Sequence, residues 1–110
     1  MTQLSIPEPI ADYFAADKRG DSEAVALCFL ERAVVKDEGR TYFGRAAILE
    51  WKAAATAKYS YTSEPLAIDG GDERYVVTSR LTGNFPGSPI NLRYAFRIER
   101  GKIASLDIGV

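Results

Sequence analysis

The chain has 110 residues and a formal charge of −1, which fits one domain with a single core and is too short for two. Its Lys and Arg are scattered rather than clustered, so they leave no footprint for nucleic acid, whose binding rests on phosphate neutralisation. No histidine is present; this excludes Ser-His-Asp and Cys-His nucleophile systems and the usual zinc sites, and leaves carboxylates and tyrosines to carry any acid–base chemistry.

No apolar segment approaches the roughly 20 residues that a spanning helix needs. The opening Met-Thr-Gln-Leu-Ser-Ile-Pro has neither a basic nor a long apolar region, so the expected location is cytoplasmic, with no membrane partner. The single cysteine, Cys28, has no partner for an internal disulfide and sits in an apolar run, Ala26 to Leu30, as a small buried hydrophobe would.

In chain order, Ser5-Ile6-Pro7 predicts a helix start, because proline suits the first helical turn. Ile6, Ile10, Tyr13 and Phe14 then recur at helical spacing, and the polar Asp17 ends that apolar face. Lys18-Arg19-Gly20 suits a helix C-terminus. Asp21 is the expected N-cap of a second helix, with Val25, Cys28 and Phe29 along its inner side.

Ala33-Val34-Val35 reads as a strand running into Lys36-Asp37, Glu38-Gly39-Arg40 as a turn, and Thr41-Tyr42-Phe43 as the returning strand. A third helix is expected from about Arg45 to Lys58, with Ala47, Ile48, Trp51 and Ala55 as its apolar stripe. From Tyr59 the period changes to two. Strands are expected over Tyr59 to Ile68, with Pro65 marking an edge or bulge, then over Glu73 to Thr82, Ile90 to Glu99 and Lys102 to Gly109.

Asp69-Gly70-Gly71-Asp72 and Arg100-Gly101 supply turns. Gly83 to Pro89 is a longer connection; it lacks the following helix and the Lys-Ser/Thr of a phosphate-binding loop. Three helices followed by a meander of long strands predict one α+β domain over 1–110, with a curved antiparallel sheet wrapped around helices. Leu92, Tyr94, Phe96 and Ile98 form one apolar face and Leu106, Ile108 and Val110 another, ready to line a core or a cavity.

The Tyr-Phe helix, the Gly-Asp start of the second helix, the strand ending in Asp, the Gly44-Arg45-Ala46-Ala47-Ile48 helix start and the closing Gly-Lys-Ile strand resemble the nuclear transport factor 2-like superfamily. Within it the chain is most similar to small SnoaL-like proteins, a group holding polyketide cyclases and ketosteroid isomerases. The resemblance covers nearly the whole chain and implies a cone-shaped fold. The scaffold hosts enzymes, binding modules and interaction domains alike.

Steroid isomerases of this fold use an aspartate base, with a tyrosine and a protonated aspartic acid at the developing oxyanion. By that resemblance Asp37 falls at the base and Tyr13 at the oxyanion tyrosine, while Tyr94 occupies the position of the neutral acid. Glu38 stands where the isomerases usually have proline. The implied reaction is proton transfer next to a carbonyl, in an isomerase or cyclase-like enzyme, on a small apolar or carbonyl-containing molecule.

The expected ligand pocket comprises Trp51, Arg80, Leu92, Phe96, Leu106 and Ile108. Arg80 and Arg93 interrupt apolar strands, either to grip an acidic ligand inside the cavity or to face outward. No metal or organic cofactor is implied, and a homodimer through the sheet is expected. The other reading is a non-catalytic binding or dimerisation module in which the same residues are turn and core.

Overall fold

A computed structural model describes residues 6–110. Ser5, read as preceding the first helix, lies outside the described residues. Helix α1 spans Glu8–Lys18, α2 Ser22–Leu27 and α3 Gly44–Lys58; the strands are β1 Phe29–Asp37, β2 Arg40–Phe43, β3 Tyr61–Gly71, β4 Arg74–Gly83, β5 Ile90–Glu99 and β6 Lys102–Gly109. Pro7 caps α1 through its carbonyl, which accepts the Ala11 N–H at 2.9 Å. Asp21 caps α2 through its side chain, which accepts the Ala24 N–H at 3.0 Å.

Helix α2 is shorter than expected. The chain leaves it at Cys28, and Phe29 already belongs to β1, where it pairs with Ile103 of β6. A dense apolar run of this kind carries no period of its own, so periodicity alone does not separate helix from strand there. Cys28 is half-buried, and its thiol donates to the Ala24 carbonyl at 3.4 Å.

The six strands form one sheet in the order β2-β1-β6-β5-β4-β3. Pairing is antiparallel except between β1 and β6, which run parallel. The sheet is therefore mixed, and the α+β architecture holds with one pairing that the meander did not foretell. Bulges after Pro65 in β3 and after Arg97 in β5 interrupt the ladder and bend the strands.

The concave face buries Val77, Ser79, Tyr94, Phe96, Ile98, Ile103 and Leu106 against Ile10, Tyr13 and Phe14 of α1 and Ile48 and Trp51 of α3. Tyr13 meets Phe14, Phe29 and Phe96 edge to face, with centroids 5.1, 6.0 and 5.6 Å apart. Such contacts add about 0.5–1.5 kcal/mol per pair beyond burial, so this cluster is the rigid base on which the rest is mounted. Val110 lies beyond β6 and is exposed rather than part of the apolar face.

Candidate active site

Asp37 closes β1 just before the hairpin turn, whose residues Glu38 and Gly39 have φ of 52° and 76°. Two successive positive φ angles make a tight turn that matches strand twist, and it aligns Asp37 with Arg40. Across from it, Trp51 of α3 donates its indole Nε1–H to Asp37 Oδ2 at 3.0 Å. Burial pushes the Asp37 carboxyl up from its ordinary value and the Glu38 charge adds to this, against the Trp51 hydrogen bond and the Lys52 charge, which pull it down.

Asp37 lies in the wall of a cavity of about 700 Å³. Tyr42, Trp51, Tyr59, Tyr61, Leu81 and Phe85 supply aromatic and apolar surface, and Glu38, Arg40 and Lys58 add charge. Tyr59 and Phe85 meet edge to face at 6.1 Å. The strand connection that carries Phe85 is tied down by Ser60, whose N–H donates to Asn84 Oδ1 at 2.9 Å while its carbonyl accepts the Asn84 N–H at 3.1 Å.

A buried ionic cluster adjoins this wall. Lys52 Nζ is 3.0 Å from Asp17 Oδ1, with side-chain exposures of 5% and 3%. The Tyr61 hydroxyl donates to Asp17 Oδ1 at 2.7 Å and accepts from Lys52 Nζ at 3.3 Å. The cluster joins α1, α3 and β3, and Lys52 Nζ also sits 4.3 Å from the centroid of the Trp51 ring. Burial and the neighbouring Asp17 charge push the Tyr61 phenol far above its ordinary value.

Tyr13 and Tyr94 do not line the cavity; both are core side chains. The Tyr13 hydroxyl is fully buried and finds no hydrogen-bond partner among the described residues, and burial pushes its pKa up. Burial likewise raises Tyr94, with the Asp17 charge adding to the rise and a hydrogen bond with Ser63 opposing it. Ser63 and Ser79 share a 2.7 Å hydrogen bond in the same interior.

Of the expected pocket residues, Trp51 lines the cavity, whereas Phe96 and Leu106 are buried in the core and Leu92 and Ile108 are half-buried against it. Arg80 corrects the expectation of a ligand-gripping guanidinium. It is exposed, and β4 register puts it beside Glu64 and Asn91 on the face opposite Val77 and Ser79. Arg93 is exposed as well. Alternation along β4 carries this signal, since Val77, Ser79 and Leu81 share one phase and Arg80 falls in the other.

Sequence reasoning missed Asp17, Lys52 and Tyr61. Asp17 follows Tyr13 and Phe14 by four and three positions, so it continues their stripe into the interior instead of ending it. Lys52 lies four residues after Ile48, on the same buried side.

Residues 10–106 match the model of the SnoaL-like domain. The chain belongs to the SnoaL-like family. A solved structure of a candidate polyketide cyclase from Sinorhizobium meliloti is 40% identical with a TM-score of 0.91, over 94% of this chain and 95% of that one. The epoxide hydrolase/cyclase-like enzyme SalBIII of pyran ring formation in salinomycin is 26% identical with a TM-score of 0.79, over 92% and 86%.

A Catenulispora acidiphila protein with a ketosteroid isomerase-like fold, solved with trimethylamine, has a TM-score of 0.85 at 19% identity over 96% and 87%, a likeness of fold alone. A comparison with curated proteins gives no match. The family match and these solved structures show the α+β, nuclear transport factor 2-like fold. No described helix is long and apolar enough to cross a membrane.

Proposed function

We propose that this SnoaL-like chain is an enzyme that moves a proton at a carbon next to a carbonyl, in an isomerase or cyclase-like reaction, with Asp37 as the base. The observation that carries the reading is a carboxylate in the wall of a 700 Å³ cavity whose proton affinity is raised by burial. A carboxylate base works best when its pKa is lifted toward the operating pH. The Trp51 hydrogen bond fixes the orientation of that carboxylate. The ligand is a small carbonyl compound whose apolar part lies against Tyr42, Trp51 and Phe85.

In this reading Asp37 takes the α-proton and the electron pair moves onto the carbonyl oxygen; the enolate is then reprotonated at carbon by Asp37, or adds to a second carbonyl carbon, whose π pair moves onto its own oxygen and takes up the proton held by Asp37. Tyr42, Tyr59 and Tyr61, rather than Tyr13 or Tyr94, bring phenols to the cavity wall; Tyr61 gives its proton to Asp17, which leaves the Tyr42 and Tyr59 hydroxyls to donate to the oxygen that gains charge. The similarity to a candidate polyketide cyclase and to SalBIII supports a cyclase-like chemistry. A homodimer is part of the proposal: the exposed sheet face carries both Arg80 and Arg93 and Glu64, Asp69 and Asp107, and a two-fold interface needs such self-complementarity.

The test is solvent exchange. Cyclic β,γ-unsaturated ketones and 1,3-dicarbonyl compounds are incubated with the protein in D2O, and deuterium at the α-carbon is followed by NMR. The wild-type chain should accelerate incorporation, and Asp37→Asn should lose on the order of 10²-fold or more of that acceleration. Equal acceleration by a folded Asp37→Asn protein would show that another group is the base. Binding without exchange by the wild type would leave a non-catalytic ligand-binding module.

A further inference from the structure

The proposed reaction uses Asp37 but assigns no task to the buried ammonium next to it. Lys52 is almost wholly enclosed, and a buried cation is costly to keep unless its surroundings use it. Its position is specific. Asp17 holds the ammonium at 3.0 Å, and the same ammonium lies 4.3 Å from the centre of the Trp51 ring. That ring's Nε1–H is the group that donates to Asp37 at 3.0 Å. Anion, cation, indole and carboxylate thus form one contiguous chain from α1 to the cavity wall.

A cation on the face of an indole withdraws electron density from the ring. The N–H at the ring edge becomes more polar, and its hydrogen bond to an anion becomes stronger. We propose that Lys52 is a positioning residue for Asp37, acting through the Trp51 indole to strengthen the hydrogen bond that holds the Asp37 carboxylate ionised and oriented in its half-buried seat. Asp17 anchors the ammonium on the ring and satisfies it. Without Lys52, burial and the Glu38 charge act on Asp37 against a weaker hydrogen bond, and the carboxyl holds its proton to higher pH.

Other groups around Asp37 are Glu38 and Arg40 of the hairpin, Tyr42 of β2, Lys58 of α3, Tyr61 of β3, and Tyr13 and Tyr94 behind the wall. Glu38 pushes Asp37 up and Lys52 pulls it down. Removing Asp17 and Lys52 together takes away the ammonium without leaving its buried partner unpaired. Arg40 and Lys58 are exposed, where solvent screens them.

The catalytic consequence rests on Asp37 being the base, but the inference is tested without substrate. The Asp37 carboxyl carbon is titrated by ¹³C NMR in the full chain, in wild type and in Asp17→Asn/Lys52→Met, each with and without Trp51→Phe. The paired replacement leaves no unpaired buried charge, so the protein stays folded where Lys52→Met alone strains it. The expected result is an upward shift of the Asp37 pKa in the paired variant that shrinks markedly in the Trp51→Phe background. An unchanged titration in the paired variant, or the same shift in both backgrounds, overturns the proposal. Because the titration needs no turnover, that outcome is distinguishable from failure of the exchange test.

Discussion

Lys52→Met singles out the buried ion pair that joins α1 to α3. The substitution removes the ammonium and keeps most of the stem, so Asp17 stays behind as an enclosed carboxylate whose remaining partner is the Tyr61 hydroxyl at 2.7 Å. Breaking a buried pair in this way costs about 3–5 kcal/mol, since an uncompensated charge is left in a poorly solvated place. Against a total stability of about 5–15 kcal/mol, that is a large fraction. With an m-value of about 2 kcal/mol/M, the urea midpoint should fall by about 1.5–2.5 M.

Asp17→Asn/Lys52→Met removes both charges and keeps the shapes. It should lie within about 1.5 kcal/mol of wild type, as volume-conserving replacements of buried pairs do. Urea unfolding followed by far-UV circular dichroism measures both variants. A loss below about 1 kcal/mol for Lys52→Met, the level of a solvent-exposed pair, would refute the burial argument; so would a paired variant as unstable as the single one.

Other variants probe different parts of the site. Asp37 has its pKa raised in the folded state, so the unfolded chain gives up that proton first and stability falls as pH rises through the carboxylate range. Asp37→Asn should therefore stabilise the fold at neutral pH, with the gain vanishing below the ordinary carboxylate pKa, as thermal melts across pH will show. Tyr13→Phe deletes a buried hydroxyl with no partner among the described residues and should raise stability by about 1 kcal/mol; a loss of that size would mean that the hydroxyl has a partner. A Cβ on Gly83 would overlap the Ser60 carbonyl oxygen and crowd Tyr61, so Gly83→Ala should destabilise the fold and perturb the cavity wall, both visible by thermal melting and Trp51 fluorescence. If the outer sheet face forms a dimer, Arg93→Glu should shift sedimentation toward the monomer.

Features with a local chemical cause were readable in the chain. The Asp21 cap, the Glu38-Gly39 turn and the Ile10/Tyr13/Phe14 stripe each depend on residues a few positions apart, and each stands where local chemistry predicts. The β1–β6 parallel pairing joins residues about 70 positions apart and has no local signature. The same holds for the ionic cluster, since Asp17, Lys52 and Tyr61 come from three distant elements. Asp17 misled because a lone carboxylate on an apolar stripe reads as its end unless its buried partner is known. Asp37 was readable as a candidate base, but the indole that holds it was read only as a wall residue.

The most direct measurement puts the Asp37 titration and the exchange rate on one pH axis. With a ketone that the protein turns over, α-deuterium incorporation should rise with the fraction of Asp37 ionised, and the two curves should share one apparent pKa. Asp37→Asn should abolish that limb. A rate that stays flat while the Asp37 carboxyl titrates, or an acid limb that survives in Asp37→Asn, would mean that proton transfer is carried by another group.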